Sequence, residues 1–275
     1  RTVTSEWGTP DVIHAHFARF AAAATRAECP EPLVWTEHDS HLANPDRRLT
    51  EDISVAGDRA DAVVSVSQGL SSRLAGHGIT STVIPNIVDV DLFDRPARRH
   101  EGTVVVSVAT LNPGKGMVEL AHAVEQVPGV QLRIIGDGPQ RRPLETIAAN
   151  NPNIVLLGTQ PRERIAEELA GADAFALASH SETFGVVCAE ALASGLPVLT
   201  TACGGPQEFI DDSNGMVVPV GDVDALADGL QQVLGRSWDR AAIAWQARSR
   251  FAAGPVVDQL EAVYRQAISS HVTTG

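Results

Sequence analysis

Positive charge is scarce in this chain of 275 residues: lysine and arginine together number 21 against 34 acids, a formal net charge of -13. Without a basic field there are few phosphate counterions to release, so nucleic acid is excluded as an expected partner. The pairs Arg98-Arg99 and Arg141-Arg142 are local basic spots of the kind found on solvated faces. Cysteine is equally sparse. Cys29, Cys188 and Cys203 have no Cys-x-x-Cys spacing and are too few for a disulfide framework, which suits a reducing cytosol. No apolar stretch reaches the length of a membrane span, and no signal peptide opens the sequence. The expected place is therefore the cytoplasm, with any work at the inner membrane face done peripherally. What the chain does have is 44% hydrophobic residues, enough for a sizeable core in one large or two modest domains.

Short apolar runs alternate with helical patterns along the whole length. Val12-Ile13, Leu33 to Trp35, Ala62 to Val66 and Val83-Ile84 are followed by Val104 to Val108, Leu132 to Ile135, Ile154 to Leu157, Ala174 to Ala178, Pro197 to Leu199 and Met216 to Val218. Such alternation predicts βαβ units and parallel sheets, with ligands beyond the carboxyl ends of the strands. His16, His38, Lys115 and Glu182 fall at those ends. The charged run from Asp89 to Gly102, containing Pro96, reads as a hinge. This predicts a first domain over 1–98, a second over 99–255 and a terminal helix and tail over 256–275.

The most informative stretch is Ser179-His180-Ser181-Glu182-Thr183-Phe184-Gly185, continuing through Val186 to Ala193 and then Gly195-Leu196-Pro197-Val198. Residues 186 to 193 form a helical run whose only charge is Glu190. Gly185 lets a ligand approach the backbone, and the free amides of the first helical turn suit a phosphate. A carboxylate among Val187, Cys188, Ala189, Ala191 and Leu192 is costly unless donors reach it, and two vicinal ribose hydroxyls would serve. The competing reading places Glu190 on a solvated stripe and makes Glu182 a helix cap.

Other constellations carry less. Lys115, between Gly114 and Gly116 after a strand, can fold its ammonium onto a diphosphate, but the missing Gly-Lys-Ser/Thr ending excludes a P-loop. His14 and His16 share one strand face, with His38 and His41 after the next strand. Four histidines invite a metal, yet later strands end without further ligands. A histidine satisfied within the fold fits His14. Gly136-Asp137-Gly138-Pro139 lacks the third glycine of a dinucleotide fingerprint, since residue 141 is Arg, and reads as a turn lining a nucleotide. Paired carboxylates also suit a glycosidase, but hydrolysis by this pair is disfavoured: eight residues, mostly helical, separate Glu182 from Glu190 by on the order of 10 Å, one in a loop and one deep in a helix, so they do not flank one bond as an acid and a nucleophile would.

The spacing Glu182-x7-Glu190, with Gly-Leu-Pro-Val and then Gly204-Gly205-Pro206-Gln207-Glu208, resembles the retaining glycosyltransferases of the GT-B type, in particular family 4. Val83-Ile84-Pro85-Asn86-Ile87-Val88-Asp89 is similar to that family's interdomain linker, Lys115-Gly116 to its phosphate lysine, and Asp11 to His16 to a strand ending in an active-site histidine. The resemblance implies an α/β fold of two Rossmann-like domains with parallel sheets. The amino-terminal one would be incomplete, lacking an opening strand with its glycine loop and two further strands. Arg1 in place of an initiator Met agrees with missing sequence, and an upstream segment or a partner chain would complete that domain.

The resemblance further implies transfer of a sugar from a nucleoside diphosphate sugar, a UDP-sugar before a GDP-sugar, to a hydroxyl acceptor on a sugar, lipid or small molecule. Anomeric configuration would be retained, with no metal and no cofactor. His16, Glu182 and Lys115 would be catalytic. Gly185, Val186, Glu190, Gly138, Thr110 and Phe184 would bind the donor. The chain departs from the pattern at Ala109-Thr110-Leu111, where the family has Gly-Arg-Leu. One phosphate cation is thereby missing, which keeps open an alternative: a nucleotide-sugar-binding subunit or degenerate homologue that needs a partner chain.

Overall fold

Near-continuous apolar strands without polar alternation suit parallel sheets covered by helices on both faces, and the computed structural model contains two such sheets. It describes residues 9–39, 42, 45–97 and 101–274, apart from the side chains of 272–274. His41, Arg98 and Arg99 lie outside the described residues. The chain divides into two compact units, Arg1–Asn86 with Gly254–Gly275, and Ile87–Ala253.

In the first unit β1 (Ile13–His16), β2 (Leu33–Glu37), β3 (Ala62–Ser65) and β4 (Thr82–Val83) form a parallel sheet in that order. Helices α1 (Ala18–Arg26), α2 (Arg47–Arg59) and α3 (Gln68–Ala75) connect them. Side chains at the helix starts satisfy first-turn amides: Asp46 accepts from Leu49 and Ser67 from Leu70. The C-terminal helix, Ala253–Thr274, supplies Val256, Val263 and Ala267 to a buried cluster with Val34, Val64 and Ile84. It is thus part of the first unit's core and not a separate tail.

The second unit begins with α4 (Val90–Phe93) and continues β5 (Thr103–Val108), α5 (Met117–Glu125), β6 (Val130–Ile135), α6 (Arg141–Asn150), β7 (Ile154–Gly158), α7 (Arg162–Ala170), β8 (Ala174–Leu177), α8 (Val186–Ala193), β9 (Val198–Thr201), β10 (Gly215–Val218), α9 (Val223–Gly235) and α10 (Arg240–Phe251). Its sheet runs β10-β9-β8-β5-β6-β7 with every pairing parallel. The chain builds outward from β5 to β7, then returns to lay β8 on the other side of β5. The switch point between β5 and β8 is where such sheets open a crevice for ligands.

The division falls between residues 86 and 87, a dozen residues before the expected 98/99 boundary. Composition suggested a linker, but Val88 and Phe93 are buried anchors of the second unit. The Val88 amide donates to the Phe251 carbonyl at 2.8 Å, and Arg248 donates to Asp94 at 2.7 Å. Among the described residues no helix is long and apolar enough to cross a membrane.

Candidate functional site

Two loops leave the carboxyl ends of β5 and β8 and are stitched to each other at the switch point. The His180 amide donates to the Gly114 carbonyl at 2.8 Å. Gly116 takes φ 61°, and a Cβ there would lie 2.0 Å from the Ala178 carbonyl oxygen, so only glycine permits this approach. Lys115, the only lysine in the chain, is thereby brought to Glu182, donating from Nζ to Oε1 at 2.6 Å. The Ser179 hydroxyl donates to the same oxygen at 2.8 Å.

The Glu182 loop is pinned from behind by the Gly204-Gly205-Pro206 segment. The Glu182 amide donates to the Cys203 carbonyl at 2.7 Å and the Gly205 amide to the Glu182 carbonyl at 3.0 Å. Gly185, the N-cap of α8, takes φ 83°, and a Cβ there would meet Pro206 Cγ at 2.4 Å. Pro206, and not a ligand, therefore fills the space that a side chain at 185 would need. Val186 follows at the start of α8, partly exposed, where first-turn amides lack an intrahelical acceptor.

Glu190 is buried further along α8, and it is not alone. Arg162, at the start of α7, donates from Nη2 to Glu190 Oε1 at 2.9 Å and lies over the Phe93 ring at 5.7 Å. Burial raises the Glu190 pKa, the Arg162 charge and hydrogen bond pull it back, and Asp89 adds to the rise. Arg162 is a residue that the sequence reading missed. In Pro161-Arg162-Glu163-Arg164 it looks like any solvated helix start, and the only signal was the need of Glu190 for a donor.

An open cavity of about 350 Å³ lies at the ends of β5, β6 and β7, lined by Thr110, Gly136, Asp137, Gln160, Ile165 and Val187 among others. Thr110 is exposed there. Gly138 sits behind this lining, its amide donating to Asp137 Oδ1 at 2.7 Å and its backbone packed against the Leu111 carbonyl. Phe184 was expected to bind the donor, but its ring is buried. It forms an aromatic triad with Phe209 and Phe251, centroids 5.2 to 5.6 Å apart, and so belongs to the core of the second unit.

The first unit carries the histidines. His16, at the end of β1, is exposed and hydrogen-bonded through Nδ1 to His38 Nε2 at 2.9 Å, with the rings stacked. Both ring nitrogens of His14 are engaged, by Tyr264 and by Thr36, each at 2.7 Å. Burial first and neighbouring imidazoles second lower the pKa of His14 and of His38 to about 4.

A family model described as "Glycosyl transferases group 1" matches residues 90–250, and one described as "Glycosyltransferase Family 4" matches residues 3–92. The chain is 31% identical, over 96% of its length, to a D-inositol 3-phosphate glycosyltransferase of Mycobacteroides abscessus, of which it spans 62%. It is also 31% identical, over 76% of its length, to the lipopolysaccharide core biosynthesis glycosyltransferase LpsE of Rhizobium meliloti, spanning 67% of that protein. Among solved structures, a sucrose-phosphate synthase from Thermosynechococcus elongatus superposes with TM-score 0.84 at 23% identity, over 98% of this chain and 76% of that one. Anabaena HepE in complex with UDP gives TM-score 0.84 at 22% identity, over 95% and 80%. These structural likenesses establish the GT-B fold.

Proposed function

The chain belongs to the group 1 glycosyl transferases, and from that premise we propose that it moves a sugar from a nucleoside diphosphate sugar, a UDP-sugar, to a hydroxyl acceptor with retention of anomeric configuration. The observation that carries the reading is the Lys115–Glu182 pair at the switch point. Lys115 and the helix-start amides near Gly185 and Val186 offset the charge that grows on the departing diphosphate. Glu182 accepts from hydroxyls of the donor sugar. Glu190, held by Arg162, accepts from the ribose. Thr110 and the turn at Gly138 border the nucleotide, and His16 is the active-site histidine that the family resemblance implies. The UDP complex of HepE supports the choice of base. The work is placed in the cytoplasm or at the inner membrane face.

The test is UDP release from a panel of UDP-sugars with sugar, lipid and small-molecule acceptors, followed by NMR of the product's anomeric proton. Retention predicts that the donor's configuration reappears, and inversion would refute it. A second reading is favoured by Ala109-Thr110 in place of Gly-Arg: a nucleotide-sugar-binding subunit that acts with a partner chain. UDP-sugar binding by calorimetry without turnover, and turnover on adding upstream sequence or a partner, would select it.

A further inference from the structure

Glu37 is fully buried at the end of β2 and has no part in the proposed sugar transfer. Its carboxylate accepts from three main-chain amides: Oε2 from Ala18 at 2.9 Å, Oε1 from His38 at 2.8 Å and from Asp39 at 2.6 Å. Ala18 opens α1 and stands two residues after His16. Between them Phe17, the N-cap, takes φ 69° and offers no side-chain cap. A non-glycine residue in that region persists only where its surroundings hold it. Glu37 supplies the missing cap from a neighbouring strand, and an anion at a helix start is favourable there. The same carboxylate fixes the backbone of His38. One group therefore sets both segments whose side chains meet as the His16–His38 pair at 2.9 Å.

We propose that Glu37 is a positioning residue that holds His16 and His38 as a hydrogen-bonded pair, so that His16 presents Nε2 in one fixed orientation. This deepens the reading of His16 as a site residue and rests on it. Burial raises the Glu37 pKa, the three amide bonds oppose that rise, and the Asp39 charge adds to it. Replacement by glutamine leaves one acceptor oxygen and turns an amide donor toward a donor, Ala18 N–H or the His38 and Asp39 pair. The turn at Phe17 is then released.

The experiment is ¹⁵N NMR of the histidine rings in the whole chain without substrate, for wild type and Glu37→Gln, with a urea midpoint for each. Expected is a coupling between His16 Nδ1 and His38 Nε2 in wild type that is lost in Glu37→Gln while the chain remains folded. With a UDP-sugar and acceptor, kcat falls up to about 100-fold, the scale of an ångström of misplacement, with donor KM unchanged. His38→Ala, which breaks the pair but keeps the latch, shows the same split. If Glu37→Gln fails to fold, Glu37→Asp, which withdraws the charge by one methylene, takes its place in the same measurement. Retention of the ring coupling in the variant, or a lowered urea midpoint with unchanged rings and kcat, overturns the proposal. The NMR result stands whether or not the chain turns over donor, so failure of the transferase reading remains distinguishable.

Discussion

Lys115 and Glu182, 67 positions apart in sequence, face each other across the switch point of the second sheet. With Ser179 also donating to Glu182 Oε1, two donors converge on that oxygen, and in the proposed function Oε2 would accept from the sugar. The lysine that would hold a diphosphate is thus neutralised by the acid that would hold the sugar.

Removing either partner should therefore separate nucleotide binding from turnover. Lys115→Ala is expected to weaken UDP binding by about 1.5 to 3 kcal/mol, the scale of a charged hydrogen bond. Glu182→Ala frees the lysine and should leave UDP affinity unchanged or higher while turnover of UDP-sugar falls. Calorimetry and initial rates check both, and the double variant should be non-additive. Weaker UDP binding in Glu182→Ala would contradict the arrangement.

Glu190 and Arg162 give a second expectation. Glu190→Ala should weaken UDP binding by about 1 to 3 kcal/mol through lost bonds to the ribose. The folded pKa of Glu190 is raised, so its contribution to stability is present below the unfolded carboxylate range and is lost as pH rises through the folded value. Arg162→Met removes the opposing charge and should enlarge that loss. Urea midpoints between about pH 4 and 7, with and without the substitution, read it directly.

The sheets were legible because β-branched runs bounded by turn residues have few other uses, and α8 coincides with the run from 186 to 193. Pairings across the sheet were not. No local pattern announces that Lys115 meets Glu182, since the contact is made by the order of parallel strands. Phe184 was assigned to the donor only through the family resemblance, and no local pattern shows that Phe209 and Phe251, far along the chain, make it core. Glu37 was invisible for the opposite reason. Its partners are backbone amides, which every sequence contains.

The lowered pKa values of His14 and His38 set an acid limit on the first unit. A histidine whose folded pKa is about 4 contributes stability that is present above the unfolded value near 6.5 and lost as pH falls from there toward 4. The groups around them are His16, His38, Tyr264 and Thr36 for His14, and His16 and the Phe17 ring for the His38 imidazole, whose backbone amide donates to Glu37. The raised pKa of Glu37 acts in the opposite sense as pH rises. Unfolding between pH 6.5 and 4 should take up about two protons at these histidines, and His14→Gln should reduce the uptake by about one. Urea midpoints across that range would refute this if their slope were unchanged.

Gly185→Ala should destabilise the second unit by about 1 to 3 kcal/mol, from the positive φ together with the overlap with Pro206. Pro206→Ala in the same chain relieves the overlap and not the backbone strain, so it should recover part of the loss. A double variant no more stable than Gly185→Ala would mean that Pro206 does not fill this space.

The last expectation concerns the absent phosphate cation. Thr110 is exposed at the cavity beyond β5, β6 and β7, and its loop is continuous with the one that carries Lys115. An arginine at 110 adds a bidentate donor next to the place assigned to the diphosphate, without disturbing the core. Thr110→Arg should therefore tighten UDP binding by about 1.5 to 3 kcal/mol. If the chain is a transferase weakened by this loss, turnover should rise with affinity. If it is a binding subunit, affinity should rise while turnover stays absent. Calorimetry and UDP release on the same preparation separate the two, and unchanged affinity would place the diphosphate elsewhere.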